Sequence, residues 1–587
     1  MFGKIIEIND NKLRMVNTKG EAETNILNYH VVFIEADRKI VGEIVGISET
    51  EISVLLVGEI RNEIFNSGII KKPSVKASCR IITKSELELI IGSQNYNDKN
   101  TLLLGKSVTY DNYNVCANVN DFFANHFSVI GNTGSGKSCG VAKILQSIFQ
   151  NNNSSKPTKA HIVLFDVYGE YNSALINLNQ INNIGFKSLT TSKQLSANDL
   201  VKIPPYFLEV DDLAILLNAN DQDQIPIIEK ALKLAYIFTS VEPTVLEYKN
   251  EIIAQSLQDI LASGKSSSRI RDQIVAVLTH YHTETLNLDT IISQPGYNRT
   301  LKQCMNTDEQ GKMNSVGLLV DFLTRFTRID LEKIEFKSGF IYNLDDLYYA
   351  FEFALLSEGI LSSETVYNKA NVLKVRLNAI INSPNKQHFE YPEIISKDDY
   401  IKNLFTVPGG KTAQIINMNF NFVDERFAKI LTKIFAKLFF NYATRLEKRA
   451  TFPIHLIVEE AHRYVQSDND IDVLGYNIFD RITKEGRKYG VLIGFITQRP
   501  SELSTTALSQ CSNFIAFRMF HPADLAIISS ISTNVTPETI EKLKTLSPGM
   551  AIVFGTAFKI PLLVKFDLPS PMPTSTSVNI TNTWFES

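Results

Sequence analysis

Residues Gly131–Ser138 read Gly-Asn-Thr-Gly-Ser-Gly-Lys-Ser, a complete G-x-x-x-x-G-K-[ST] phosphate loop. This pattern constrains the fold because it works only between a strand and a helix. His126-Phe-Ser-Val-Ile130 before it is a short apolar strand. Val141, Ile144, Leu145, Ile148 and Phe149 after it fall at helical spacing. Backbone N–H groups of Gly131, Asn132, Thr133, Gly134, Ser135 and Gly136 can curl around phosphates, and the helix N-terminus adds a favourable dipole. Lys137 reaches the β- and γ-phosphates of a nucleoside triphosphate, and Ser138 holds Mg²⁺. Cys139 ends the phosphate-binding stretch and reads as a small packing residue more than as an oxidation-sensitive thiol.

A second acidic site follows downstream. Pro453 precedes Ile-His-Leu-Ile-Val and then Glu459-Glu460-Ala-His462. An apolar strand ending in paired carboxylates is the expected partner of a phosphate loop. Glu459 is assigned to orienting Mg²⁺ through water, and Glu460 to polarising the attacking water. The competing reading is an exposed acidic pair opening a helix. Ile162-Val-Leu-Phe165 is another buried strand, ending at Asp166 and followed by Val-Tyr-Gly-Glu170-Tyr171. Acids at strand C-termini lie on the ligand edge of a parallel sheet, so Asp166 and Glu170 join the candidate set. Gln498, at the tip of the strand Val491–Thr497, can sense the γ-phosphate or the attacking water. Arg487, Arg499 and Arg518 are candidates for neutralising transition-state charge in a neighbouring subunit. Each also reads as a solvated surface arginine.

The 587 residues exceed one ordinary domain. With 44% hydrophobic and 21% charged residues, the chain reads as a globular protein. No apolar run is long enough for a membrane span, and the start has no signal-peptide pattern, so a cytoplasmic location is expected. Five scattered cysteines with no C-x-x-C argue against a disulfide frame or a zinc site. The net charge of −4 disfavours nucleic acid wrapped on an outer face, and leaves open a ring whose basic residues line a channel. Residues 1–95 carry short Val/Ile-rich runs separated by turns, the spacing of a small β-barrel. Residues 96–171 comprise a connector and the first part of the nucleotide core. Residues 172–410 read as a mostly helical insertion. Residues 411–568 resume the core, with Phe427, Ile430, Leu431, Ile434, Phe435 and Leu438 on one helix face. Alternating strands and helices imply an α/β fold with a doubly wound parallel sheet. The Pro/Ser/Thr-rich stretch 569–587 is expected to be a disordered tail.

Taken in order, His126–Ser138, Asp166-Val-Tyr-Gly-Glu-Tyr171, Val458-Glu-Glu-Ala-His462, Glu485-Gly-Arg-Lys-Tyr-Gly490 and Thr497-Gln-Arg-Pro-Ser501 resemble the HerA family of hexameric DNA translocases, relatives of FtsK. Leu546–Gly555 with Ile560-Pro561 is similar to that family's closing hairpin. The resemblance covers nearly the whole chain. It implies a RecA-like ATPase core with an N-terminal barrel and an inserted helical bundle. It also implies a homo-hexamer with ATP and Mg²⁺ at subunit interfaces and double-stranded DNA in the channel. Carried over by position, Lys137 and Ser138 bind phosphate and Mg²⁺, Glu460 is the catalytic carboxylate, Gln498 the sensor and Arg487 the favoured trans finger. Asp166-Val-Tyr-Gly-Glu170 departs from the family's usual Asp-Pro-His-Gly-Glu, so Asp166 and Glu170 rest on a partial match. Family members work with a nuclease in DNA end processing. Bacterial forms also work with a Sir2-like NAD-consuming subunit or a nuclease in antiviral defence. An ATP-binding scaffold that switches an effector enzyme is the competing function, and a secretion ATPase a further one.

Overall fold

A computed structural model of the chain describes residues 2–18, 26–35, 37–92, 98–111, 113–150, 156–196, 198–327, 340–355, 364–466, 470–531, 535–574, 580 and 584. The N-terminal strands are β1 (Phe2–Asn9), β2 (Lys12–Asn17), β3 (His30–Ile34), β4 (Lys39–Ile47), β5 (Glu51–Arg61), β6 (Ile64–Ser67) and β7 (Ser78–Ile81). They pair antiparallel in the order β1-β2-β5-β4-β3-β7, with β6 on β5. In β5 every second residue, from Ile52 through Ile60, is buried, the period-two signature of a strand with one face on a core. That core includes Leu13, Met15, Val31, Phe33, Ile40, Ile44 and Val54.

The nucleotide core is an eleven-stranded sheet. Its strands are β8 (Thr101–Ser107), β9 (Asn114–Asn118), β10 (Phe127–Ile130), β11 (His161–Asp166) and β12 (Phe186–Thr190). The helical segment then carries a separate hairpin of β13 (Ile291–Gln294) and β14 (Tyr297–Thr300). The core sheet resumes with β15 (Ile415–Asn419), β16 (Ile454–Val458), β17 (Val491–Thr497), β18 (Asn513–Phe517), β19 (Met550–Gly555) and β20 (Leu562–Phe566). The order is β12-β15-β11-β16-β17-β10-β18-β19-β20-β8-β9.

The expected parallel sheet needs one correction. From β12 to β18 every pairing is parallel, but from β18 through β9 every pairing is antiparallel. Short links account for two of these antiparallel pairs. The β8–β9 and β19–β20 connections are too short for a crossover, so those strands can pair only as hairpins. The stretch expected to be a connector thus supplies two strands of the sheet. Strand β12 lies inside the stretch read as helical insertion and pairs with β15.

Chain segments 201–395 and 469–476 form a second compact unit. Its helices include Gln224–Thr239, Pro243–Ala262, Ser267–Tyr281, Leu344–Ala354 and Glu364–Ile381. In the core, a 3₁₀ turn, Pro500–Glu502, is followed by the short helix Thr505–Ser509. Of the tail, residues 575–579, 581–583 and 585–587 lie outside the described residues. Ser570–Thr574, within the stretch expected to be disordered, makes defined hydrogen bonds to the core. Among the described residues no helix is long and apolar enough to cross a membrane.

Candidate active site

Strand β10 sits between β17 and β18, and all four of its residues are buried. The loop after it therefore emerges at the middle of the sheet's C-terminal edge. Its start is pinned on both sides, because Gly131 N donates to Thr497 O (3.2 Å) and Asn132 N to Arg518 O (2.9 Å). Asn132 O accepts from Ser135 Oγ (2.6 Å) and from Lys137 Nζ (3.1 Å). Gly549 N donates to Ser135 O (2.9 Å), tying the loop to the start of β19. Gly134 has φ +72°, and a Cβ there would meet nothing within 4 Å, so the turn is open where a phosphate would approach. Gly136 has φ +111°, and a Cβ there would stand 3.0 Å from Gly549 N.

Four carboxyls converge on this loop from strand ends. Glu460 follows β16 in a left-handed backbone conformation (φ 46°, ψ 44°), which turns its side chain back toward the loop. Gln498 joins the two halves of the site. Its Oε1 accepts from Thr133 Oγ1, and its Nε2 donates to Glu460 Oε1 at 3.4 Å. On the other side, Glu460 Oε2 lies 3.3 Å from His462 Nδ1, which is 3.2 Å from Thr497 Oγ1. Burial pushes the Glu460 carboxyl up, and Lys137, Arg463 and Arg499 oppose that shift. Burial likewise pushes the Lys137 ammonium down, against the pull of Glu460, Glu459 and Glu170.

Glu459 is almost fully buried, and its Oε2 accepts from Val167 N at 3.0 Å. Burial first, then the charge of Asp166, hold it well above the usual carboxylate range. Asp166 is fully buried and is also raised, by burial. Its oxygens accept from Gly169 N (2.8 Å), Glu170 N (3.1 Å), Tyr171 N (3.1 Å) and Asn417 Nδ2 (3.0 Å). The four donors favour the ionised form of Asp166 and oppose the upward push of burial. Asp166 thus organises the Val167–Tyr171 turn. Glu170 is half-buried, pushed up by burial and drawn down by the Ser138 hydroxyl it faces.

The arginines separate. Arg518 follows β18 at the loop end of the sheet and lies over the Phe520 ring at 5.2 Å. Arg499 is exposed and pairs with Glu502 at 2.7 Å. Arg487 is exposed in the last turn of the helix Ile478–Tyr489, just before β17 begins. Gln498 follows the other end of that seven-residue strand. At about 3.3 Å per residue the two ends are roughly 20 Å apart, so Arg487 does not reach its own chain's loop. Cys139 is half-buried, and burial pushes its thiol up, which suits a packing residue and not a reactive thiolate.

The residues present fit Mg²⁺ with a nucleotide. Carboxyls with raised pKa values gather beside the phosphate-loop lysine, an arrangement that a cation would relieve. Among the described residues no cluster of three or more His, Cys, Asp or Glu side chains could hold a metal by itself. Mg²⁺ in phosphate-loop sites needs none, being held by one or two protein groups, water and substrate phosphates.

The model of the central domain of helicase HerA matches residues 102–439. The chain belongs to the HerA family. The DNA double-strand break repair helicase HerA of Pyrococcus furiosus is 24% identical over 490 residues, covering 82% of this chain and 70% of that protein. A probable DNA double-strand break repair helicase HerA of Methanocaldococcus jannaschii is 22% identical over 509 residues, covering 86% and 84%. Among solved structures, the bacterial conjugative coupling protein TrwB aligns with a TM-score of 0.43 at 10% identity, over 83% of this chain and 92% of that one. The chain is accordingly a HerA-family phosphate-loop ATPase. The family match includes the phosphate loop and ends before Glu459.

Sequence reasoning missed several groups that the fold brings to the HerA site. Thr133 was named for its backbone alone, and its side-chain bond to Gln498 was not foreseen. Arg463 donates to Tyr168 Oη at 2.7 Å and approaches Glu425 at 3.7 Å. Their signal was positional, since Arg463 follows the Glu-Glu-Ala-His run and Tyr168 lies inside Asp-Val-Tyr-Gly-Glu.

Proposed function

We propose that the protein is an ATP-driven motor on double-stranded DNA that works as a homo-hexameric ring with ATP bound at subunit interfaces. The observation that carries this reading is the Thr133–Gln498–Glu460 bridge. One side chain connects the phosphate loop to the carboxylate placed to polarise water, which suits turnover more than passive nucleotide binding. Lys137 would hold the β- and γ-phosphates, with the loop N–H groups around them. Ser138 and Glu459 would hold Mg²⁺, which when bound neutralises phosphate charge. Glu460 would orient and polarise the attacking water. Gln498 would sense whether a γ-phosphate is present, through its bonds to both sides.

Arg487 would act on the neighbouring subunit's nucleotide, since its own loop is at the far end of β17. The relatives' names support DNA as the track. An effector partner, either a Sir2-like NAD-consuming subunit in antiviral defence or a nuclease, is part of this proposal. The names of the relatives, which specify double-strand break repair, support a second setting with an end-processing nuclease.

Mixing subunits tests the ring. Arg487→Ala and Glu460→Gln proteins are each expected to be inactive. After subunit exchange, some interfaces regain both groups, and measurable ATPase should return. Full ATPase from a monomer would overturn the ring, and no rescue despite proven exchange would overturn Arg487 as the trans group.

A further inference from the structure

The helical unit holds a cavity of about 460 Å³, built entirely from its own residues. That volume lies in the range of ligand pockets, roughly 300–1,000 Å³. Three stretches of chain form it: 205–206, 341–346 and 386–394. Side-chain bonds fix these walls. Tyr206 Oη accepts from Ile395 N at 2.9 Å and donates to Ile395 O at 3.3 Å. Tyr342 Oη donates to Leu208 O at 2.9 Å. Lys386 Nζ pairs with Asp345 Oδ2 at 3.0 Å, which ties the second stretch to the third. The rings of Tyr206, Tyr342, Phe389 and Tyr391 line the cavity. Two of its apolar lining residues stand open to solvent, Ile341 at 47% and Ile394 at 73% exposed.

The charge around the cavity is one-sided. Asp345, Asp346, Glu390 and Glu393 line it, and the one lining base, Lys386, is already paired with Asp345. Asp345 and Asp346 open the helix Leu344–Ala354, where the helix dipole favours acids. Glu390 and Glu393 have no such local reason. Both are exposed in the stretch after the 3₁₀ helix Pro384–Phe389, and neither has an ion-pair partner among the described residues. Aromatic faces attract cations, and carboxylates without partners do so more strongly. The same carboxylates repel the phosphates of nucleic acid and nucleotide. We propose that this cavity docks a segment of a partner protein in which an arginine or lysine stands close in sequence to an aliphatic or aromatic side chain. Residues 575–587 carry no base and one acid, so charge argues against the chain's own tail as the occupant. This goes beyond the motor reading and does not rest on it.

The test uses the full chain, immobilised, and a displayed library of random peptides as the probe. Enriched peptides should share a basic residue near an apolar one. A synthetic copy of the most enriched peptide should bind wild type in a fluorescence anisotropy titration. The double variant Glu390→Lys/Glu393→Lys should lose about tenfold or more in affinity, the worth of a hydrogen bond to a charged group. Ile394→Ser should weaken binding by a smaller factor. Glu309→Lys, an exposed acid of the same unit outside the cavity lining, should bind as wild type does. All three variants change exposed side chains, so they should keep wild-type melting curves and ATPase. Peptides enriched without a base, affinity that charge reversal leaves unchanged, or no enrichment over bare support would each overturn the docking site. Tighter peptide binding after removal of residues 575–587 would overturn it in favour of the tail. A shift in oligomeric state caused by the charge reversal, read by sedimentation, would overturn it in favour of a second copy. Absence of ATPase in the wild type would count against the motor reading alone.

Discussion

Glu460 holds a backbone conformation that costs a non-glycine residue roughly 1–3 kcal/mol, and it does so where the candidate chemistry sits. The strained turn aims its carboxylate at Gln498, so shape and charge have separable effects. Glu460→Gln keeps the shape and should bind ATP while turnover falls about 10²–10⁴-fold, the usual worth of a positioned base. Lys137→Ala removes a charge-assisted contact to phosphate, so nucleotide affinity itself should fall about 10–100-fold. Filter binding and phosphate release on the two variants separate these outcomes, and equal turnover by Glu460→Gln and wild type would dismiss the assignment. Glu459 behaves differently. Its folded pKa is raised above the ordinary value of 4.5, so its contribution to stability is fully present below that pH and is lost as pH rises through the folded pKa. Asp166 is raised too and acts in the same direction. Glu86 is held low by Arg80, and its contribution is lost only in more acid solution. Nucleotide-free wild type should therefore lose thermal stability on the alkaline side of pH 4.5. Glu459→Gln, with no proton to lose there, should melt a few degrees higher at pH 8 and show a shallower slope, read by melting curves from pH 5 to pH 8.5. Sequence named Glu460, Glu459 and Asp166, because strand-end carboxylates after a phosphate loop have few other uses, and it did not single out Glu86. The αL turn at Glu460 was not legible, and neither was the contact of Glu459 with the turn after Asp166, because that contact joins groups 292 residues apart in the chain.

Elements differ in how plainly they announce themselves. The helix Glu425–Arg445 was visible because one face is apolar over several turns, and those residues are buried in the fold. Strand β2 was not. Lys-Leu-Arg-Met-Val-Asn offers only Leu13 and Met15 to the core, too few alternations to stand out from a turn-rich stretch. Strands β8 and β9 were obscured for another reason. Their polar flanks read as a linker, and only pairing of β8 with β20 at the far end of the chain makes them part of the sheet. The phosphate loop combines both kinds of information. Its glycines are a local pattern, but their necessity comes from packing. A Cβ at Gly131 would stand 2.6 Å from Phe517 Cβ, and one at Gly136 would approach the backbone of Gly549 in a φ region that side chains avoid. Gly136→Ala should destabilise the fold by about 1–3 kcal/mol and abolish nucleotide binding, whereas Gly296→Ala, at φ +95° but with open space around it, should cost only the backbone strain. Denaturant unfolding of both variants, with nucleotide binding measured alongside, makes the comparison. Equal stability losses would show that the contact with Gly549 does not matter.

At the scale of the whole molecule, the charge balance sets what the proposed DNA motor could do. The chain carries 63 acidic and 59 basic side chains, so it presents no overall attraction to a polyanion. If the proposed ring holds duplex DNA, its basic residues must be gathered where the duplex passes, and a single subunit should bind poorly. A translocating ring must also tolerate any sequence it meets, and its contacts should be to phosphates, which position without specifying. Such contacts release counterions, so the logarithm of affinity should fall linearly with the logarithm of salt, with a slope of about −0.9 for each phosphate neutralised. The measurement is duplex affinity over a salt series, on two unrelated sequences, for the assembled ring and for a variant that does not assemble. The expected result is a steep slope common to both sequences and lost with assembly. A strong preference for one sequence would defeat the motor reading. A flat salt response would defeat backbone binding. If neither DNA binding nor DNA-stimulated ATPase is found even with the effector present, the Thr133–Gln498–Glu460 bridge must serve a nucleotide-driven switch that acts on a protein partner, and the scaffold reading takes the motor's place.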